Sequence, residues 1–195
     1  MKKHLVAQFV FLLICAFFLS VVAVTIIHEG AHIIVSQAGG SQVKEIVVIP
    51  GIRLYPHIER VKWSGCVAGV ALTDFPSQFY NGLCMAMGSS ANAIASYLLL
   101  VLVFLMRRCW QIKLILLLVS FVLAWDLIAY SIFPLFGLRH WIFIGGNYAE
   151  PIRGASLLGI PLWVSYLTVF VHVVFYHFVF GKASLRIAKS ISESK

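Results

Sequence analysis

Apolar and polar positions fall along this chain in long blocks rather than short periods. From Leu5 to Ile27 no charged residue interrupts the apolar run, which is long enough to cross a hydrocarbon core of about 30 Å. The helix it predicts continues to Ala38, where Gly39-Gly40 supplies a C-terminal stop. At about 1.5 Å per residue such a helix is roughly 50 Å long, so it must tilt, kink or project from the bilayer. The pattern then changes. Val43 to Ile49 is β-branched and ends at Pro50-Gly51, and Ile52-Arg53-Leu54-Tyr55 alternates up to Pro56; a β-hairpin-like segment is expected over 41–63. Gly65 to Leu72 is mildly apolar and rich in small residues, and is expected to dip into the membrane interface. Three further apolar blocks follow, over about 82–106, 114–134 and 157–180, separated by a basic turn and a polar loop at 137–154. The fold class read from this pattern is an all-α polytopic membrane bundle of about four transmembrane helices, the first over about 5–38, forming one membrane-embedded domain over 1–195.

Composition sharpens that reading. At 61% hydrophobic and 11% charged residues, with a mean hydropathy of +0.96, the chain lies far outside the range of soluble domains. Lys2 and Lys3 ahead of an apolar run, with Val21-Val22-Ala23 as a loose cleavage site, would also fit a signal peptide, but the run is too long for one. The net charge of +8 does not point to nucleic acid, because the basic residues gather at span ends. Arg107, Arg108 and Lys113, with Lys2, Lys3, Lys182, Arg186 and Lys189, are placed in the cytoplasm by the positive-inside tendency, so both termini are expected there; the external loops still hold Lys44, Arg53, Arg60, Lys62, Arg139 and Arg153, which makes the bias modest. A multi-pass protein of the cell membrane is expected. Cys15, Cys66, Cys84 and Cys109 form no CxxC pair, which argues against a disulfide framework or a cysteine-held metal.

The chemistry sits in the first helix, at His28-Glu29-Gly30-Ala31-His32. Residues four apart share a helical face, so both imidazoles can reach one metal ion with Glu29 beside it. A zinc ion so held lowers the pKa of water, and the carboxylate takes the proton as the oxygen attacks a peptide carbonyl. One Zn²⁺ per chain is the expected cofactor. The third span holds a lone Asp126 among Phe, Leu, Val and Trp; a carboxylate at that depth calls for a partner, and a metal is the obvious one. Counting from the outer helix ends puts His28, Asn92 and Asp126 roughly 12 to 15 Å below the rim, so they are expected to share one site. Asn92, in the small-residue stretch Gly88-Ser89-Ser90-Ala91-Asn92, is either packing glue or a contact to substrate or oxyanion. Glu150, in the polar loop, is the second choice for third ligand if that loop folds back. His172 and His177, five apart, do not share a face and read as packing histidines.

Together, His28, Glu29 and His32 in a membrane helix, a β-like segment after it, Gly88-xxx-Asn92 on a following span and a later acidic residue resemble the site-2 protease family of intramembrane zinc metalloproteases. The resemblance implies cleavage of membrane-embedded protein substrates within or near the bilayer, with zinc held by two histidines and an aspartate. It makes His28 and His32 ligands, Glu29 the general base and Asn92 a substrate or transition-state contact. One departure stands out: the family's Asp-Gly after a proline-containing stretch is missing, and Asn147-Tyr148 occupies the region after Phe133-Pro134. Asp126 is therefore the expected third ligand, with Glu150 next. A non-catalytic metal-binding membrane protein or a metal transporter is the alternative, although neither a His-rich loop nor a file of His/Asp sites is present. Serine-based proteolysis would want GxSG, which Gly88-Ser89-Ser90-Ala91 fails at its last position.

Overall fold

The computed structural model describes residues 2–107, 109–142 and 144–193; Arg108 of the basic turn and the side chains of Lys2 and Lys3 lie outside that description. Helix α1 runs Lys2–Ala38, α2 Gln78–Leu105, α3 Trp110–Ile132 and α5 Leu162–Glu193, with a short α4 at Glu150–Leu157. Four helices are long and apolar enough to cross a membrane: Val6–Ala38, Gln78–Leu105, Trp110–Phe136 and Leu162–Ser192. They make this a polytopic membrane fold.

Each boundary has a local cause. α1 ends at Gly40, whose positive φ lets the Ser41 N–H turn back to the Ser36 carbonyl at 2.9 Å and the Gly40 N–H to Gln37 at 3.3 Å. α2 is capped by Ser77, whose hydroxyl accepts from the Phe79 N–H, and so starts at Gln78, four residues ahead of the expected start. The last span starts at Leu162 rather than 157, because Gly159 adopts positive φ and Pro161 follows it. It then continues past 180 to Glu193, the helix outlasting its apolar stretch. Lys113, expected in the basic turn, lies in the first turn of α3 and is buried.

The segment after α1 is more than a hairpin. Four antiparallel strands, β1 (Val43–Val48), β2 (Ile52–Tyr55), β3 (Glu59–Arg60) and β4 (Ala68–Leu72), lie in the order β3-β2-β1-β4. The stretch expected to dip into the interface is thus the edge strand β4. Arg53 ties the sheet together through Glu45 at 2.9 Å and through Glu59. Ile49 donates to Val67 and Thr73 to Gln42, both at 2.8 Å, flanking the β1–β4 ladder. With that register, alternation directs the backbone groups of Ala68, Val70 and Leu72 away from β1, along the free edge.

α3 sits at the centre of the bundle, packed on α1, α2 and α5. Leu100, Val103, Leu117, Ala124, Tyr176 and Ala183 form one apolar cluster between α2, α3 and α5. Because lipid is as apolar as leucine, hydrogen bonds and small residues do much of the joining in such a bundle. Tyr97 on α2 bonds His172 Nδ1 at 3.0 Å, and His172 Nε2 donates to the Ala124 carbonyl at 3.1 Å. The Ser120 hydroxyl donates to the Ser96 carbonyl at 2.9 Å and accepts from Tyr176 at 2.8 Å. His177 bonds its own helix at the Val173 carbonyl. Both α5 histidines are spent within the bundle. All four cysteines are free.

Candidate metal centre

His28 and His32 lie one turn apart on α1, with ring centroids 4.8 Å apart. Their Nδ1 atoms settle their chemistry. His28 Nδ1 is 3.0 Å from Asp126 Oδ2, and His32 Nδ1 is 2.8 Å from the Cys84 carbonyl oxygen. A carbonyl and a carboxylate only accept, so each Nδ1 carries the proton and each Nε2 is left with a bare lone pair. Glu150 Oε2 approaches those lone pairs at 3.5 Å from His28 Nε2 and 3.7 Å from His32 Nε2. It is buried with no hydrogen-bond partner among the described residues. The three side chains offer ligand atoms that all lie within 4.8 Å of one another.

Three acceptors converging without a donor repel one another unless a positive charge sits among them, either a proton on one Nε2 or a metal ion. The donor set, two imidazoles and a carboxylate, is that of a zinc site. The space fits as well. Gly88 of α2 packs against the trio so closely that a Cβ there would lie 2.6 Å from His32 Nε2 and 2.7 Å from His28 Nε2. A membrane-embedded helical bundle with a metal-capable cluster is what these observations establish.

Glu150 reaches the site because the polar loop folds back into the bundle. It is the first residue of α4, ahead of Pro151, and α4 docks on α2 by a glycine-to-glycine crossing. A Cβ at Gly154 would meet the Ala86 nitrogen and the Gly82 carbonyl, both at 2.6 Å. Burial pushes the Glu150 carboxyl up, but attraction to a His28 ring that carries the extra proton on Nε2 outweighs it and holds the group below the usual carboxylate range. The loop is pinned from inside by His140, 1% exposed. Its Nε2 donates to the Tyr148 carbonyl at 2.7 Å, its N–H to the Gly146 carbonyl at 3.0 Å, and its ring lies 3.6 Å from that of Tyr130. Burial lowers the His140 pKa, keeping the imidazole neutral. Tyr130 in turn faces His28, centroid to centroid 4.5 Å.

The sequence expectation about the third ligand changes here. Asp126 does stand next to His28, as the depth count required, but it binds the ring's far nitrogen. The residue facing both Nε2 atoms is Glu150. The physical reason is rotation about the α3 axis: depth along a helix does not say which nitrogen a neighbour meets. Asn92 is displaced too. It is 0% exposed, and its Nδ2 donates to Asp126 Oδ2 at 2.9 Å and to the Val24 carbonyl at 3.2 Å. Its amide hydrogens are thus turned into the bundle, where they help hold Asp126. The Cys84 thiol lies on the Nδ1 side of His32, at 3.5 Å, away from the converging lone pairs.

Glu29 lies beside the trio, close to the backbone of Val70 on the free edge of β4. A cleft of about 360 Å³ opens here, lined among others by His32, Val70, Thr73, Asn81, Tyr148 and Glu150. Tyr148 stands beside Glu150 on the cleft wall, and burial with that neighbouring carboxylate pushes its phenol up to about 12. Sequence reasoning missed Tyr148, His140, Tyr130 and the Gly82–Gly154 crossing. The one sequence signal for them was Glu150-Pro151 with Gly154 a turn later, an acidic helix start with a small residue placed for close packing. Comparison with protein-family models, curated proteins and solved structures finds no match to this chain.

Proposed function

We propose that this protein is an intramembrane zinc metalloendopeptidase, similar in chemistry to site-2 proteases, that hydrolyses peptide bonds of membrane protein substrates. The observation that carries the reading is the convergence of two bare imidazole lone pairs and the unpartnered Glu150 oxygen beside the carboxylate of Glu29. His28, His32 and Glu150 are the ligands, one Zn²⁺ per chain. A zinc ion held there supplies Lewis acidity, acidifying water at neutral pH and polarising a carbonyl.

The chain's own residues divide the remaining work. Asp126, steadied by Asn92, holds the proton on His28 Nδ1 and so keeps Nε2 free, as the Cys84 carbonyl does for His32. Glu29 accepts the proton of the attacking water and passes it to the amine nitrogen as the C–N bond breaks. The outward backbone groups of Ala68, Val70 and Leu72 receive a substrate segment as an added strand. That matters because a helical substrate shields its peptide bonds until it is unwound. With Val70 directly at Glu29, a strand added to this edge passes the metal ligands. In this reading both termini face the cytoplasm, which the basic residues at the span ends favour.

The test is Glu29→Gln in purified, detergent-solubilised protein. It is expected to keep one zinc per chain and to lose hydrolysis of a fluorescein-labelled casein. Cleavage at the wild-type rate by the zinc-loaded variant would refute the mechanism.

A further inference from the structure

With Asn92 turned into the bundle, the proposed peptidase lacks the oxyanion donor that the sequence had suggested. Four other donor-bearing side chains border the cleft. The Thr73 hydroxyl is engaged with Ser41 and with the Gln42 N–H, at 3.1 and 2.8 Å. The Cys84 thiol, 3% exposed, is directed to the His32 carbonyl at 3.6 Å. Asn81 stands in the first turn of α2. Tyr148 differs from them in its placement: it lines the cleft together with His32 and the ligand carboxylate Glu150, whose charge acts on its hydroxyl.

The anchoring of Tyr148 suits a working group. Its backbone is fixed from behind by the buried His140, through the 2.7 Å bond to its carbonyl, while its side of the cleft stays open and the residue is 45% exposed. A ring so held keeps its root and can turn its hydroxyl to an incoming group in the cleft. We propose that Tyr148 is a catalytic residue of this site, its phenol O–H donating a hydrogen bond to the oxyanion formed when water adds to the scissile carbonyl. The proposal rests on the peptidase reading above.

The step balances without an added reactant. The water oxygen bonds the carbonyl carbon, the C=O π pair moves onto the carbonyl oxygen, and the water proton goes to Glu29. Tyr148 keeps its own proton and stabilises the new negative charge by hydrogen bonding. On collapse the C=O bond re-forms, the C–N bond breaks, and the nitrogen takes the proton from Glu29. The products are a carboxylic acid and an amine.

Tyr148→Phe removes only the hydroxyl. Three quantities are measured on the detergent-solubilised, zinc-loaded protein: zinc content, kcat and KM on fluorescein-labelled casein, and calorimetric affinity for N-phosphoryl-Leu-Trp, whose tetrahedral oxyanion mimics the intermediate. Removing one oxyanion donor costs about 10²- to 10³-fold in kcat, and that fall is expected with KM and zinc content unchanged and with the phosphoryl dipeptide bound correspondingly more weakly. An unchanged kcat would overturn the proposal, as would a fall matched by loss of zinc, which would make Tyr148 a support for Glu150. A larger kcat loss in Asn81→Ala than in Tyr148→Phe would move the role to Asn81. If wild type neither cleaves casein nor binds the phosphoryl dipeptide, the peptidase reading itself fails, an outcome distinct from a Tyr148→Phe variant as active as wild type.

Discussion

Replacing Gly88 by Ala puts one methyl group against the Nε2 atoms of the two proposed histidine ligands. The added Cβ would lie 2.6 Å from His32 Nε2 and 2.7 Å from His28 Nε2, so something must retreat by about 0.7 to 0.8 Å to reach the 3.4 Å of ordinary contact. Neither ring is free to do so. His28 is held by Asp126 at 3.0 Å and His32 by the Cys84 carbonyl at 2.8 Å, and both lie on the same rigid helix. The strain of such overpacking is about 1 to 3 kcal/mol. Helix propensity returns about 1 kcal/mol, because alanine is the better helix former. The net loss of stability is therefore small, about 0 to 2 kcal/mol. Metal binding has less tolerance: ligand distances must hold within about 0.2 Å, and a displacement of three times that size removes the site. The assay is zinc affinity by competition with a chelator, alongside thermal unfolding in detergent. Gly88→Ala is expected to remain folded and to bind zinc at least about 100-fold more weakly, beyond the 10- to 100-fold typical of outer-shell changes. Gly30→Ala is the control from inside the metal motif, since nothing lies within 4 Å of a Cβ there; it should bind zinc as wild type does. A Gly88→Ala protein with wild-type zinc affinity would refute the placement of the ion between the two Nε2 atoms.

Asp126→Asn keeps the shape of the side chain and removes its charge from His28 Nδ1; zinc affinity should fall about 10- to 100-fold without loss of the ion at saturating zinc, as read by the same competition assay. Gly154→Ala places a Cβ 2.6 Å from the Ala86 nitrogen and the Gly82 carbonyl, backbone atoms that cannot step aside, so α4 must withdraw with Glu150. That variant should lose about 1 to 3 kcal/mol of stability, seen as a lower Tm in detergent, and bind zinc more weakly, whereas a wild-type Tm and zinc affinity together would show that the α2–α4 crossing does not position Glu150.

Much of this arrangement was legible in the residues. His28 and His32 share a face because of their spacing alone, and Gly39-Gly40 stops α1 where a left-handed residue closes its last turn. Pro50-Gly51 marked the β1–β2 turn. What was not legible depends on contacts between distant segments. Ala68-Gly69-Val70-Ala71-Leu72 has little β-branching, and only pairing with β1 makes it a strand. The polar loop concealed α4, whose eight residues bury Ile152 among Ala93, Leu127 and Val169 and bring Gly154 against α2. The exchange of roles between Asp126 and Glu150 has the same origin. Depth brought Asp126 to His28, but the azimuth of α3 and the return of the 137–149 loop decide which carboxylate meets Nδ1 and which meets Nε2.

The most direct measurement is zinc stoichiometry by elemental analysis of the purified wild type, Glu150→Ala and Asp126→Ala proteins after equilibration at limiting free zinc and again at saturation. The account requires one zinc per chain in wild type, a site lost in Glu150→Ala under both conditions, and one in Asp126→Ala that is weakened at limiting zinc but fills at saturation. Full occupancy in Glu150→Ala with none in Asp126→Ala would contradict it, and would return the third ligand to α3.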